Sequence, residues 1–230
     1  MKITSGGIIA AGEGSRFKKA GQTLHKPMIP VNGIPLMAHT LKNFQECGIK
    51  RIVIIFNENE QDCVIWAKEH FPTLNIEFIV KSTASSFESF SLVGRQLGGG
   101  RHLMTTVDSL TSPQEFKKML SHPLLASEAL YLGVTSFVED EKPLWVKMSG
   151  RENKIIELGG KEGSHATAGF YGVPHSIFSL KETTSFASLR EFLKWALAAG
   201  TPTYAVPLGP VFDIDSPADV KSAEKGLYKA

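Results

Sequence analysis

Chemistry-bearing residues crowd the start of the chain. An apolar run from Ile8 to Ala11 leads into Gly12, Glu13, Gly14, Ser15 and Arg16, and Lys26-Pro27 follows ten residues after that arginine. The run reads as a buried strand emptying into a loop, where missing side chains let main-chain N–H groups face an anion. Arg16 and Lys26 add positive charge to the same region. Amides together with two cations suit a polyphosphate, because charge-assisted bonds to phosphate are the strong ones. Spacing excludes two familiar glycine loops. A Walker loop needs Lys-Ser/Thr after its second glycine, where this chain has Ser15-Arg16, and a dinucleotide fingerprint needs a third glycine where Phe17 stands.

Carboxylates recur at strand ends. Asp108 closes the apolar stretch Leu103 to Val107, and open α/β sheets bind ligands at the carboxyl ends of their strands. Alone it is equally a metal ligand or a cap for the turn into Pro113 to Leu120. A second acidic strand end, Val211 to Ile214 followed by Asp215, decides for the metal, since alternation puts Asp213 and Asp215 on one side. Magnesium on nucleotide phosphates takes one or two protein carboxylates, so Asp108 plus one of this pair suffices. Asp219 reads as a favourable charge at a helix N-terminus rather than a ligand. The histidines, His25, His39, His70 and His165 among them, show no paired ligand spacing, and no serine sits in a nucleophile elbow. Trp66, Trp145, Trp195 and Tyr171 offer rings for a quaternary ammonium, but Trp66 and Trp195 fall in helical stretches and read as core or interface residues.

The elements that must position these groups alternate in the first half. Strands are expected at Gly7 to Ala11, Arg51 to Phe56, Ile76 to Val80 and Leu103 to Val107, with helices at Leu36 to Cys47, Asp62 to Phe71 and Phe87 to Leu97 between them. Beyond Leu120 come strands without full helices: Ala129 to Thr135, Leu144 to Met148, Lys154 to Leu158 and Thr167 to Val173. A helix at Leu189 to Ala199, short strands at Tyr204 to Pro207 and Val211 to Ile214, and a helix from Pro217 to Leu227 capped by Ser216 complete the order. The fold expected is α/β and Rossmann-like, a mostly parallel central sheet with helices on both faces and an antiparallel insertion in the second half. At 230 residues a single domain over 1–230 is the default. A net charge of +2 without basic runs gives a nucleic-acid partner little support, and the apolar run near Met1 is too short to span a bilayer. Cys47 and Cys63, without metal-like spacing, fit a reduced cytoplasmic setting.

Ala10-Ala11-Gly12-Glu13-Gly14-Ser15-Arg16, then Lys26-Pro27 through Leu36, and Phe212-Asp213-Ile214-Asp215-Ser216-Pro217 resemble the signature of the nucleotidyltransferase superfamily that makes NDP-sugars on a GT-A-like fold. That resemblance implies a concrete reaction. A phosphorylated acceptor, a sugar 1-phosphate first, attacks the α-phosphorus of an NTP, pyrophosphate leaves, and Mg2+ held by Asp108 and Asp215 assists, with Asp213 as a supporting neighbour. It makes Arg16 the holder of the leaving pyrophosphate and Lys26 the stabiliser of the transferred group. Residues 10–16 would bind nucleotide, as would Ser82, Thr83 and Ala84, which stand where the superfamily often has Gly-Thr-Ala near the base and ribose; Val80 replaces a base-reading glutamine. Lys161, Thr167 and Gly169 fall in the acceptor region. Cytidylyltransferases for phosphocholine or methylerythritol phosphate stay as an alternative, and a catalytically inactive nucleotide-binding module as another. A glycosyltransferase using Asp213-Ile214-Asp215 fits less well, lacking the glycine loop with its Lys-Pro. The partners implied are small molecules, with no nucleic acid and no membrane; a homo-oligomer is left open.

Overall fold

The computed structural model describes residues 3–121, 128–139, 141–179 and 186–227. Its first half alternates β1 (Ser5–Ile9), α1 (Ser15–Lys19), a hairpin of β2 (Pro30–Val31) and β3 (Ile34–Pro35), α2 (Leu36–Glu46), β4 (Arg51–Phe56), α3 (Gln61–His70), β5 (Asn75–Val80), α4 (Ser86–Leu97) and β6 (Arg101–Thr106). There follow β7 (Ser109–Leu110), α5 (Pro113–Ser121), β8 (Leu130–Thr135), β9 (Trp145–Ser149), β10 (Lys154–Leu158), β11 (His165–Pro174), α6 (Leu189–Ala198), β12 (Thr203–Leu208), β13 (Phe212–Asp213) and α7 (Pro217–Gly226).

Nine strands form one sheet in the order β5-β4-β1-β6-β11-β8-β12-β10-β9. The β5-β4-β1-β6 half is parallel, and its strands feed both faces. Ile8, Ile52 and Ile54 join one core cluster, whereas Ile9, Val53 and Ile55 join the other, as expected of strands buried on two sides. Helices α2, α3, α5 and α7 contribute to the first cluster, α4 and α6 to the second. The adjacent glycines of β1 make this close packing feasible. A Cβ at Gly6 would stand 2.4 Å from the Phe44 ring of α2, and one at Gly7 would stand 2.6 Å from Val93 of α4.

The α/β, Rossmann-like expectation is met with one refinement. Beyond β6 the sheet is mixed, with antiparallel pairing both at its centre and along the β12-β10-β9 edge. Strand β11 lies between β6 and β8, antiparallel to both, and β12 runs parallel to β8. The pairing of β11 with β8 shifts register between Thr167 and Tyr171, and Gly169 there has a left-handed φ of 75°. Such irregularities re-aim side chains beside sites. No helix among the described residues is long and apolar enough to cross a membrane.

Candidate active site

The glycine loop leaves the carboxyl end of β1. The Ala10 amide is taken by Ile55 O of β4, so Ala10 contributes a small buried side chain rather than a donor. From Ala11 through Arg16, by contrast, no main-chain N–H donates to a backbone carbonyl among the described residues. These amides are oriented by Gly14, whose φ of 59° favours glycine and which packs on the stem of Lys26: a Cβ there would lie 3.1 Å from that lysine's Cβ. Gly12 has open space around it.

Lys26 opens a single 3-10 turn with Pro27 behind it. Only 8% exposed, its ammonium donates to Asp108 Oδ2 at 2.6 Å and to Asp215 Oδ1 at 2.5 Å. Arg16 Nη1 reaches the other oxygen, Asp215 Oδ2, at 2.9 Å. Burial alone would lower the Lys26 pKa; the charges of Asp108 and Asp215, with their hydrogen bonds, outweigh it and hold the ammonium well above its ordinary value. Likewise, burial opposes ionisation of Asp108, yet Lys26 and a hydrogen bond from the Thr106 side chain hold that carboxyl below the usual range.

Two backbone devices bring the acids together. Strands β7 and β13 pair antiparallel, placing Ser109 opposite Asp213, and the Ile214 N–H donates to Asp108 O at 3.0 Å. Past β13, Asp219 and Ser216 form a capping box at the start of α7, and the Asp219 carboxylate also accepts from the Asp215 N–H at 3.0 Å. Asp108, Asp213 and Asp215 consequently offer ligand oxygens all within 4.8 Å of one another. Hard oxygen donors in that number fit a divalent cation of the magnesium type, so the residues present suit the metal expected. Asp213, expected as a supporting neighbour, stands in this trio as a third candidate ligand.

Two cavities flank the loop. A larger one, about 510 Å³, contains Arg16, Asp108, Asp213 and Asp215 together with Thr167, Gly169, Tyr171 and Arg190. Gly169 is required by its surroundings, for a Cβ would fall 1.9 Å from Ser109 Oγ. Burial, then the nearby Asp108 charge, pushes the Tyr171 hydroxyl pKa far up, keeping it a neutral donor. A smaller cavity of about 200 Å³ is lined by Ala11, Glu13, Lys18, His25, Asn57, Glu60, Ser82 and Thr83. Within it His25 lies 3.8 Å from Glu60, a buried carboxyl whose pKa burial raises.

Most of the expected residues are thus gathered; besides Ala10, two are not. Lys161 is exposed on the β10–β11 turn and lines neither cavity. Ala84 is exposed, and its N–H is held by Glu88 Oε2 at 2.7 Å, away from the small cavity. Unanticipated members are Asn57 and Glu60 in the small cavity and Arg190 in the large one. The polar run Asn57-Glu58-Asn59-Glu60 directly follows β4, so the strand-end rule that found Asp108 reaches it too. Arg190 carries no comparable signal.

Residues 6–88 match the family described as the MobA-like NTP transferase domain. The chain is similar to the bifunctional IPC transferase and DIPP synthase of Aquifex aeolicus, 25% identical over 229 residues that cover 96% of this chain and 51% of that protein. Similarity to the bifunctional protein GlmU of Methanococcus maripaludis is 24% identity over 227 residues, covering 94% and 52%. The chain therefore spans about half the length of the curated relatives it matches. Among solved structures, the inositol-1-phosphate CTP transferase from T. maritima shares the fold with a TM-score of 0.82 at 22% identity, covering 98% of each chain. The glycine-loop segment thus matches an NTP transferase family model over residues 6–88, and the whole chain shares the fold of the T. maritima enzyme.

Proposed function

We propose that this single domain joins an NTP to a phosphorylated small-molecule acceptor, most directly a sugar or cyclitol 1-phosphate, giving an NDP-linked product and pyrophosphate. One observation carries the reading: the loop bearing unclaimed amides sends its two cations onto a carboxylate trio, between a small cavity and a larger one. In this assignment the small cavity takes base and ribose at Ser82 and Thr83, and the amides of residues 11–16 take the triphosphate. The larger cavity takes the acceptor beside Thr167, Gly169 and Arg190. An oxygen of the acceptor phosphate forms a bond to the α-phosphorus as the bond to pyrophosphate breaks. Arg16 holds the departing pyrophosphate, and Lys26 stabilises charge on the transferred phosphoryl group. Magnesium held by Asp108 and Asp215, with Asp213 beside them, would neutralise the two anions that must meet.

The T. maritima neighbour is named for inositol 1-phosphate and CTP, which favours a cyclitol phosphate as acceptor and CTP as donor. The free thiols of Cys47 and Cys63 fit a cytoplasmic setting, and a small-molecule site of this kind calls for neither nucleic acid nor membrane. Pyrophosphate release, measured for each NTP with magnesium against sugar 1-phosphates, inositol 1-phosphate, phosphocholine and methylerythritol phosphate, tests the proposal. Release that requires one NTP and one acceptor is expected. Phosphocholine as the productive acceptor would instead favour the non-sugar cytidylyltransferase. Tight NTP-magnesium binding without release from any pair would make the chain a binding module.

A further inference from the structure

Lys26 and a divalent cation require the same oxygens. The ammonium holds Asp108 Oδ2 and Asp215 Oδ1, and Arg16 holds Asp215 Oδ2. The chain's own cations thus engage both oxygens of one candidate ligand and one oxygen of another, in a trio whose ligand atoms lie within 4.8 Å. A metal entering here has to draw those oxygens away from a lysine that is 8% exposed. Stranding a buried ammonium without an anion is costly, which opposes metal entry on its own.

Charge counting leads to the same place. The two carboxylates that Lys26 and Arg16 hold are already balanced in charge by them; adding a divalent ion makes this group net positive. A triphosphate on the neighbouring amides reverses this and supplies new acceptors for both cations. Loop and lysine are mechanically connected as well, since Gly14 packs on the Lys26 stem.

We propose that Lys26, assisted by Arg16, is a latch on the metal site: in the nucleotide-free chain it occupies the carboxylates and holds divalent cations off, and nucleotide phosphates draw it away. Metal and nucleotide then bind cooperatively, each raising the other's affinity by the same factor. The release step rests on the nucleotidyltransferase reading; the latch itself is a property of the free chain.

Mn2+ binding to nucleotide-free protein, followed by the loss of the free-ion paramagnetic resonance signal, tests it. Lys26→Met is expected to bind Mn2+ at least about tenfold more tightly than the wild type, and Arg16→Met more tightly by a smaller factor. Adding Asp108→Asn to Lys26→Met is expected to abolish the gain, locating the ion at the trio. A non-hydrolysable NTP analogue should tighten Mn2+ binding to the wild type far more than to Lys26→Met. Equal or weaker Mn2+ binding by both single variants without nucleotide overturns the latch. Should Lys26→Met fail to fold, Arg16→Met decides, because Arg16 is 53% exposed and its loss leaves no void. A chain that binds no NTP sinks the functional reading, yet the nucleotide-free comparison still decides the latch.

Discussion

Two unit charges at contact in a partly shielded site interact by roughly 4 kcal/mol, which is the scale of what Lys26 contributes between Asp108 and Asp215. Turnover should accordingly fall about a hundredfold or more in Asp108→Asn, Asp215→Asn and Lys26→Met, each tenfold being about 1.4 kcal/mol. Pyrophosphate release measures this, and a retained circular-dichroism spectrum separates a catalytic defect from unfolding. The same three residues would show no selective kinetic loss if they only held the fold together. Glycines divide sharply by their surroundings. Gly169→Ala puts a Cβ at 1.9 Å from Ser109 Oγ on a backbone with φ of 75°, whereas Gly12→Ala meets nothing within 4 Å. Urea denaturation should show a loss of about 1–3 kcal/mol for Gly169→Ala and almost none for Gly12→Ala.

At the scale of elements, the β7–β13 pair and the first turn of α7 act as one clamp on the acids. Asp219 closes it: the carboxylate accepts from Ser216 N–H at 2.7 Å and from Asp215 N–H at 3.0 Å while Ser216 caps the helix. Asp219→Ala removes this cap at a cost of about 1 kcal/mol and lets the Asp215 backbone drift. The expected result is a modest fall in melting temperature together with a rise in the magnesium concentration needed for half-maximal turnover. Asp219→Asn should recover part of both, since an amide oxygen still accepts. The role expected from sequence, a charge near a helix N-terminus, is thereby given a second partner, the Asp215 N–H, beside the helix itself.

For the molecule as a whole, the paired charges set how stability depends on pH. Asp108 titrates below its ordinary value of about 3.9, so its share of stability is present above that pH and disappears as pH falls through the depressed native value. Lys26 titrates above about 10.5; its share is complete at neutral pH and disappears only as pH rises through the elevated native value. Urea denaturation across pH should show a plateau through neutrality and an acid limb that Asp108→Asn flattens. Much was legible before any tertiary contact was considered. Alternation of short apolar runs with helical periods, the glycine loop, the two acidic strand ends and the Ser216 cap are local patterns, set by backbone sterics and side-chain spacing within a few residues. Other features depended on strand order and register. Lys26 meets Asp108 and Asp215 across 82 and 189 residues of chain, β11 enters the centre of the sheet, Asn57 and Arg190 arrive at separate cavities, and Lys161 lines neither. A local pattern says which residues can bury or bond, but only the packed sheet decides which distant ones share a neighbourhood.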